Sequence, residues 1–122
     1  IVNVTAVLAK PPPANSLPTT VSRAAGLALT KAMSKDLGQY NIRVNAVCIG
    51  LIRSDQIEKR WKDQAPNLSW DEYSQKVGET IPLGRIGDTE EAANVITFLA
   101  SQAASYVTGT AVNIDGGSGE AL

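Results

Sequence analysis

The chain has 122 residues, of which 43% are hydrophobic and 19% charged, with a formal net charge of -1 at pH 7. That balance suits one small globular domain and excludes a basic surface for nucleic acid, and no run is long and apolar enough for a bilayer-spanning helix. A single cysteine, Cys48, excludes an intrachain disulfide, and with no secretory apolar region at the front a reducing, cytoplasmic setting is expected, without nucleic-acid or membrane partners and without a metal.

The first residues, Ile1 to Val7, are short and β-branched in the manner of a buried strand. The only methionine is Met33 and the chain opens inside this apolar run, so the expectation is a piece of something longer. Lys10 to Pro18 holds four prolines and must be a loop. Thr19 or Thr20 can cap the next helix, Val21 to Leu37, which carries Ala25, Ala28 and Ala32 on one line and Leu29, Met33 and Leu37 on another. Small residues along a stripe suit close packing on a sheet or another helix.

Gly38 ends that helix, and Asn41 to Cys48 reads as a second strand leading to Gly50. The polar connection from Leu51 to Gly87 contains short amphipathic pieces, Trp61, Trp70 and Tyr73; these aromatics either line a lid or anchor the segment to the core. Asp88 then fits an N-cap with Glu91 reaching back to it, and Ala92, Val95, Ile96 and Leu99 make one apolar face. Thr110 to Ile114 is β-favouring, and Asp115-Gly116-Gly117 stops it. Strands alternating with helices predict an α/β fold with parallel strands and right-handed crossovers.

Pro82-Leu83-Gly84-Arg85, Glu90-Glu91-Ala92-Ala93, Phe98-Leu99-Ala100-Ser101, Ser105 to Gly109 and Asp115-Gly116-Gly117 occur in an order and spacing that resembles the C-terminal end of short-chain dehydrogenase/reductases. Leu29-Thr30-Lys31-Ala32 and Ile42 to Val47 look like the helix and strand that follow the active site in that family. The resemblance implies that residues 1–122 are the second half of a doubly wound, Rossmann-type parallel sheet, three strands with crossover helices, in a domain that binds NAD or NADP. The glycine-rich turn that would seat the pyrophosphate belongs to the other half.

In the family a serine, a tyrosine and a lysine work together: tyrosine is the general acid/base, lysine lowers its pKa and holds the nicotinamide ribose, and serine polarises the carbonyl. Placed by resemblance, these positions hold Ala6, Thr19 and Arg23. The chain has no histidine and no tyrosine before Tyr40, which lies 17 residues beyond Arg23, about 25 Å along a helix. A threonine hydroxyl is a poor proton donor near neutrality. Arg23 either holds ribose hydroxyls without relaying a proton or is a surface arginine. Cys48, with no histidine to activate it, reads as a small buried strand residue.

More of the family pattern follows the second strand. Gly50 permits close approach to a ligand, although Ile49 replaces the usual preceding proline, and Ile52 (backbone) and Ser54 (hydroxyl) match positions that contact the nicotinamide carboxamide and nearby phosphate. An ordinary strand-to-loop exit is the alternative for Ile52 and Ser54.

Two functional expectations result. One is a piece of an atypical NAD(P)-dependent oxidoreductase acting on a small-molecule carbonyl or alcohol, inactive by itself. The other is a non-catalytic family member serving ligand binding or assembly. The first strand should form an exposed apolar edge, which favours a homo-oligomer built on it, on the alanine-rich helix face or on the C-terminal helix and strand.

Overall fold

Strands β1 (Val2–Ala6), β2 (Asn45–Ile49) and β3 (Ala111–Ile114) pair into one sheet in the computed structural model, which describes residues 1–121. Their order is β1-β2-β3 and both pairings are parallel, with Thr5 opposite Cys48 and Cys48 opposite Asn113. Parallel neighbours require long crossovers. Helix α1 (Thr19–Asp36) joins β1 to β2, and α2 (Asp55–Gln64), α3 (Trp70–Val77) and α4 (Thr89–Ala100) lie between β2 and β3. The alternation expected from the sequence is therefore present.

The central strand carries the core: Val44 to Cys48 are all 0% exposed, whereas Val4 on β1 is 58% exposed. Among the described residues β1 pairs only with β2, so it is an edge whose apolar side is open. That matches the expected open edge, but not the expectation of a buried first strand.

Helix α1 departs from the sequence reading in two ways. Its N-cap is Pro18 and no side chain caps it; Thr19 and Thr20 lie inside the first turn, where the Thr20 hydroxyl donates to the Ser16 carbonyl at 3.3 Å. The buried residues are Thr20, Thr30 and Ser34, while Ala25, Ala28 and Ala32 are exposed and Leu29 is too. The reason lies across the interface. β1 presents Asn3 and Thr5 to this helix; Asn3 Nδ2 donates to Thr30 Oγ1 at 2.9 Å and Thr5 Oγ1 donates to the Arg23 carbonyl at 3.1 Å. A polar strand face requires hydrogen-bonding partners, so the hydroxyl face turns inward and the alanine line outward.

Two fasteners hold β3 in register with β2. The Asn45 side chain donates to the Val107 carbonyl at 2.9 Å and accepts from the Thr110 amide at 3.3 Å. Arg43 donates from Nη1 to the Leu99 carbonyl at 2.7 Å and from Nη2 to the Ser101 carbonyl at 2.9 Å, bonding carbonyls at the end of α4.

The long connection builds a core of its own. Ile57, Tyr73 and Ile86 are buried, and Trp61 and Trp70 pack on them and meet edge to face with ring centres 5.6 Å apart. Trp61 Nε1 donates to the Leu68 carbonyl at 3.0 Å, and the Arg53 guanidinium lies 4.4 Å over the Trp70 ring. Of the two readings of these aromatics, anchoring describes what they do here. No helix among the described residues is long and apolar enough to cross a membrane.

Helix α4 begins at the N-cap Asp88, whose amide donates to Glu91 Oε2 at 2.7 Å, the reach-back read from the sequence, while the Glu91 amide donates to the Asp88 backbone carbonyl at 3.1 Å. Glu91 also accepts both Arg85 terminal nitrogens, at 2.8 and 2.7 Å, and these bonds, with the Asp88 amide, lower its carboxyl pKa to about 2. A depressed carboxylate stabilises the fold above its unfolded pKa of about 4.3 and loses that contribution as pH falls toward 2. Because the pair is solvent-exposed, Glu91→Gln should lower the melting temperature at pH 7 by no more than a few degrees. Melting curves from pH 7 to pH 2 should show this gap closing in the acid range; a gap independent of pH would refute the assignment.

Candidate functional site

In an open parallel sheet, ligands sit beyond the carboxyl ends of the strands. Here those ends are Ala6, Ile49 and Ile114. A cleft of about 540 Å³ opens beside the first two, and its lining includes Ala6, Arg23, Gly50, Ile52 and Ser54. Five positions spread over 49 residues of sequence are thus brought to one cavity. Thr19 stands next to it: it shares with Arg23 a second concavity formed at the start of α1. Helical spacing of four residues explains the sharing, since Thr19 and Arg23 lie one turn apart on one face.

The backbone at Ile52 has a specific orientation. Ile52 and Gly87 form an isolated parallel bridge, in which the Leu51 carbonyl accepts from the Gly87 amide at 3.0 Å and the Arg53 amide donates to the Gly87 carbonyl at 2.8 Å. Both neighbours of Ile52 face Gly87, so the N–H and C=O of Ile52 point the opposite way. They are placed as one donor and one acceptor for a planar amide. The Ile52 side chain lies over Gly87, where a Cβ would come within 2.5 Å of Ile52 Cδ1.

Ser54 is exposed and is the N-cap of α2, accepting from the Ile57 amide at 3.5 Å. The hydroxyl proton is left to donate, and the first turn of α2 adds its positive end. Gly50 has a nearer neighbour than any ligand: a Cβ at Gly50 would lie 2.6 Å from Asp115 Cβ and 2.8 Å from Asp115 Cα. The Asp115 carboxylate in turn accepts from the amides of Gly117 and Gly119, each at 2.9 Å. The glycine thus lets the β2 and β3 exits touch, which fixes the cleft wall.

Cys48 is fully buried, and burial raises its thiol pKa despite the opposing effect of Lys10. It is neither accessible nor ionised near neutrality. No cluster of metal-ligating side chains is found among the described residues. The cleft also receives Gln56 and Arg60 from α2, which the sequence reading did not single out. Their only sequence signal is position: Gln56 and Arg60 are four apart on the helix that Ser54 caps.

A family profile described as enoyl-(acyl carrier protein) reductase matches residues 1–119. The chain is 36% identical over 117 residues to a 3-oxoacyl-[acyl-carrier-protein] reductase of Aquifex aeolicus, covering 96% of this chain and 44% of that one. It is 35% identical over 117 residues to human dehydrogenase/reductase SDR family member 4, covering 96% and 40%. A short-chain oxidoreductase of Pseudomonas aeruginosa PAO1 whose catalytic center is described as atypical superposes in its apo form with a TM-score of 0.93, at 33% identity, over 100% of this chain and 48% of that one. Its NADPH-bound form gives 0.86. The chain spans less than half the length of these relatives. Profile, identity and superposition together show that the chain belongs to the short-chain dehydrogenase/reductase family.

Proposed function

We propose that this chain is the nicotinamide-side half of an NAD(P)-binding domain, in a cytoplasmic oxidoreductase that transfers hydride between the cofactor and a small-molecule carbonyl or alcohol. The observation that carries the reading is the convergence of Arg23, Gly50, Ile52 and Ser54 on one cleft at the strand ends. The donor set fits the nicotinamide end of such a cofactor: the outward Ile52 amide and carbonyl suit a carboxamide, Ser54 and the α2 terminus suit a phosphate, and Arg23 suits ribose hydroxyls. When bound, the cofactor supplies the hydride.

The proton side of the reaction is atypical. Ala6 has no hydroxyl to polarise a carbonyl, the Thr19 hydroxyl is a poor general acid, and Arg23 puts a guanidinium where the family has a lysine. In this reading the isolated chain is inactive, because the glycine-rich half that would seat the pyrophosphate comes from the rest of the protein. The open side of β1 and the exposed line of Val21, Ala25, Ala28 and Ala32 support contact with other parts of the protein and with a second copy.

Fluorescence titration of the full-length protein with NADPH tests the reading. Arg23→Ala should weaken binding by about 10- to 100-fold, as loss of a charge-assisted hydrogen bond does. Unchanged affinity would remove Arg23 from the site. NADPH binding without turnover on any carbonyl would favour the second reading, a ligand-binding or assembly module, which the same three replaced positions support.

A further inference from the structure

We propose that the substrate of this site is an uncharged carbonyl compound with an apolar body, and that Glu120 excludes anionic substrates. The inference rests on the oxidoreductase reading above and concerns a second cavity. This pocket, about 550 Å³, shares Ala6, Ile49, Gly50 and Leu51 with the cofactor cleft and so lies directly against it. Its volume is that of a small-molecule site.

Its outer wall is unusual. Leu8 and the three consecutive prolines Pro11, Pro12 and Pro13 supply a rigid apolar surface, and proline offers no N–H to donate to an anion. Glu120 is the charged side chain in the lining; neither lysine nor arginine contributes. Lys10, next to the prolines in sequence, is not in the lining and its ammonium donates to Asn113 Oδ1 at 2.6 Å. The cations Arg23 and Arg60 line the adjoining cleft instead.

Charge is therefore divided between neighbouring cavities. Positive side chains face the side fitted to the phosphate-bearing cofactor, and the side left for the substrate has apolar walls with a carboxylate. A substrate carboxylate or phosphate placed in this pocket would meet Glu120 without a compensating cation from this chain. Like charges so placed disfavour binding, whereas a neutral ketone loses only water from its apolar body.

The test uses two ketones with one skeleton, cyclohexanone and 4-oxocyclohexanecarboxylate, and the full-length protein. Equilibrium dissociation constants are measured by ligand-observed NMR, with and without NADPH, for the native protein and for Glu120→Lys. The neutral ketone should bind about tenfold more tightly than the anion, and Glu120→Lys should close or reverse that preference. Equal or tighter binding of the anion, no binding of either ketone, or a preference unmoved by Glu120→Lys would overturn the proposal. NADPH affinity and turnover, read on the same samples, report separately on the oxidoreductase reading.

Discussion

Asn45→Ala should destabilise the protein by about 1–3 kcal/mol, among the larger effects of a single side chain in this fold. Asn45 is 0% exposed and makes two hydrogen bonds to the segment that leads into β3, giving one to the Val107 carbonyl and taking one from the Thr110 amide. Alanine would leave the Thr110 amide without that acceptor. Arg43 Nη1 reaches the Val107 carbonyl at 3.3 Å, so that acceptor keeps a partner and the amide carries most of the loss. Equilibrium urea unfolding checks the figure, and a change below about 0.5 kcal/mol would show that the two strands hold register without this side chain. The consequence would extend to function, because β3 delivers Asp115 against Gly50 and so shapes the cleft.

The parts of this arrangement that were legible in sequence are local or carried by resemblance. The Asp88 to Glu91 cap is a four-residue local pattern, and Glu91 reaches back to the Asp88 amide as read. Alternating strands and helices gave the parallel sheet, and family blocks gave Gly50, Ile52 and Ser54, which do meet in one cleft. What escaped the sequence depends on distant partners. The inward face of α1 is set by Asn3 and Thr5, which lie 27 and 18 positions before their partners Thr30 and Arg23, so a helical pattern alone did not show that the hydroxyl line, rather than the alanine line, meets the sheet. Arg43 acts on carbonyls 56 and 58 residues away, a relation no periodicity carries. Gly50 was expected to admit a ligand, yet its closest constraint is Asp115, which arrives 65 positions later. Arg60 and Glu120 had no motif at all and became visible only as walls of cavities.

Restoring the family's proton-transfer groups should raise turnover of the full-length protein by about 100-fold or more. The substitution is triple, Ala6→Ser, Thr19→Tyr and Arg23→Lys, and each change has a geometric basis. Arg23 and Ala6 line one cleft, and Thr19 and Arg23 share the concavity at the start of α1 one helical turn apart. A tyrosine at position 19 would therefore stand on the same helical face as a lysine at position 23, and a neighbouring ammonium lowers a phenol pKa toward neutrality. A positioned general acid contributes about 10²- to 10⁴-fold, which sets the expected gain. Thr19→Tyr alone should give less, because Arg23 can attract the phenolate but cannot exchange its proton. The assay is steady-state reduction of an uncharged ketone across pH 6 to 10, with NADPH affinity measured in parallel to separate a lost cofactor site from a lost reaction. A rise in kcat at constant NADPH affinity would establish that the native centre lacks its proton donor while keeping its hydride geometry. A fall in kcat at the same affinity would mean that the protein already moves its proton through Thr19, Arg23 or a water they hold, and that the replaced residues are the working centre rather than its remnant.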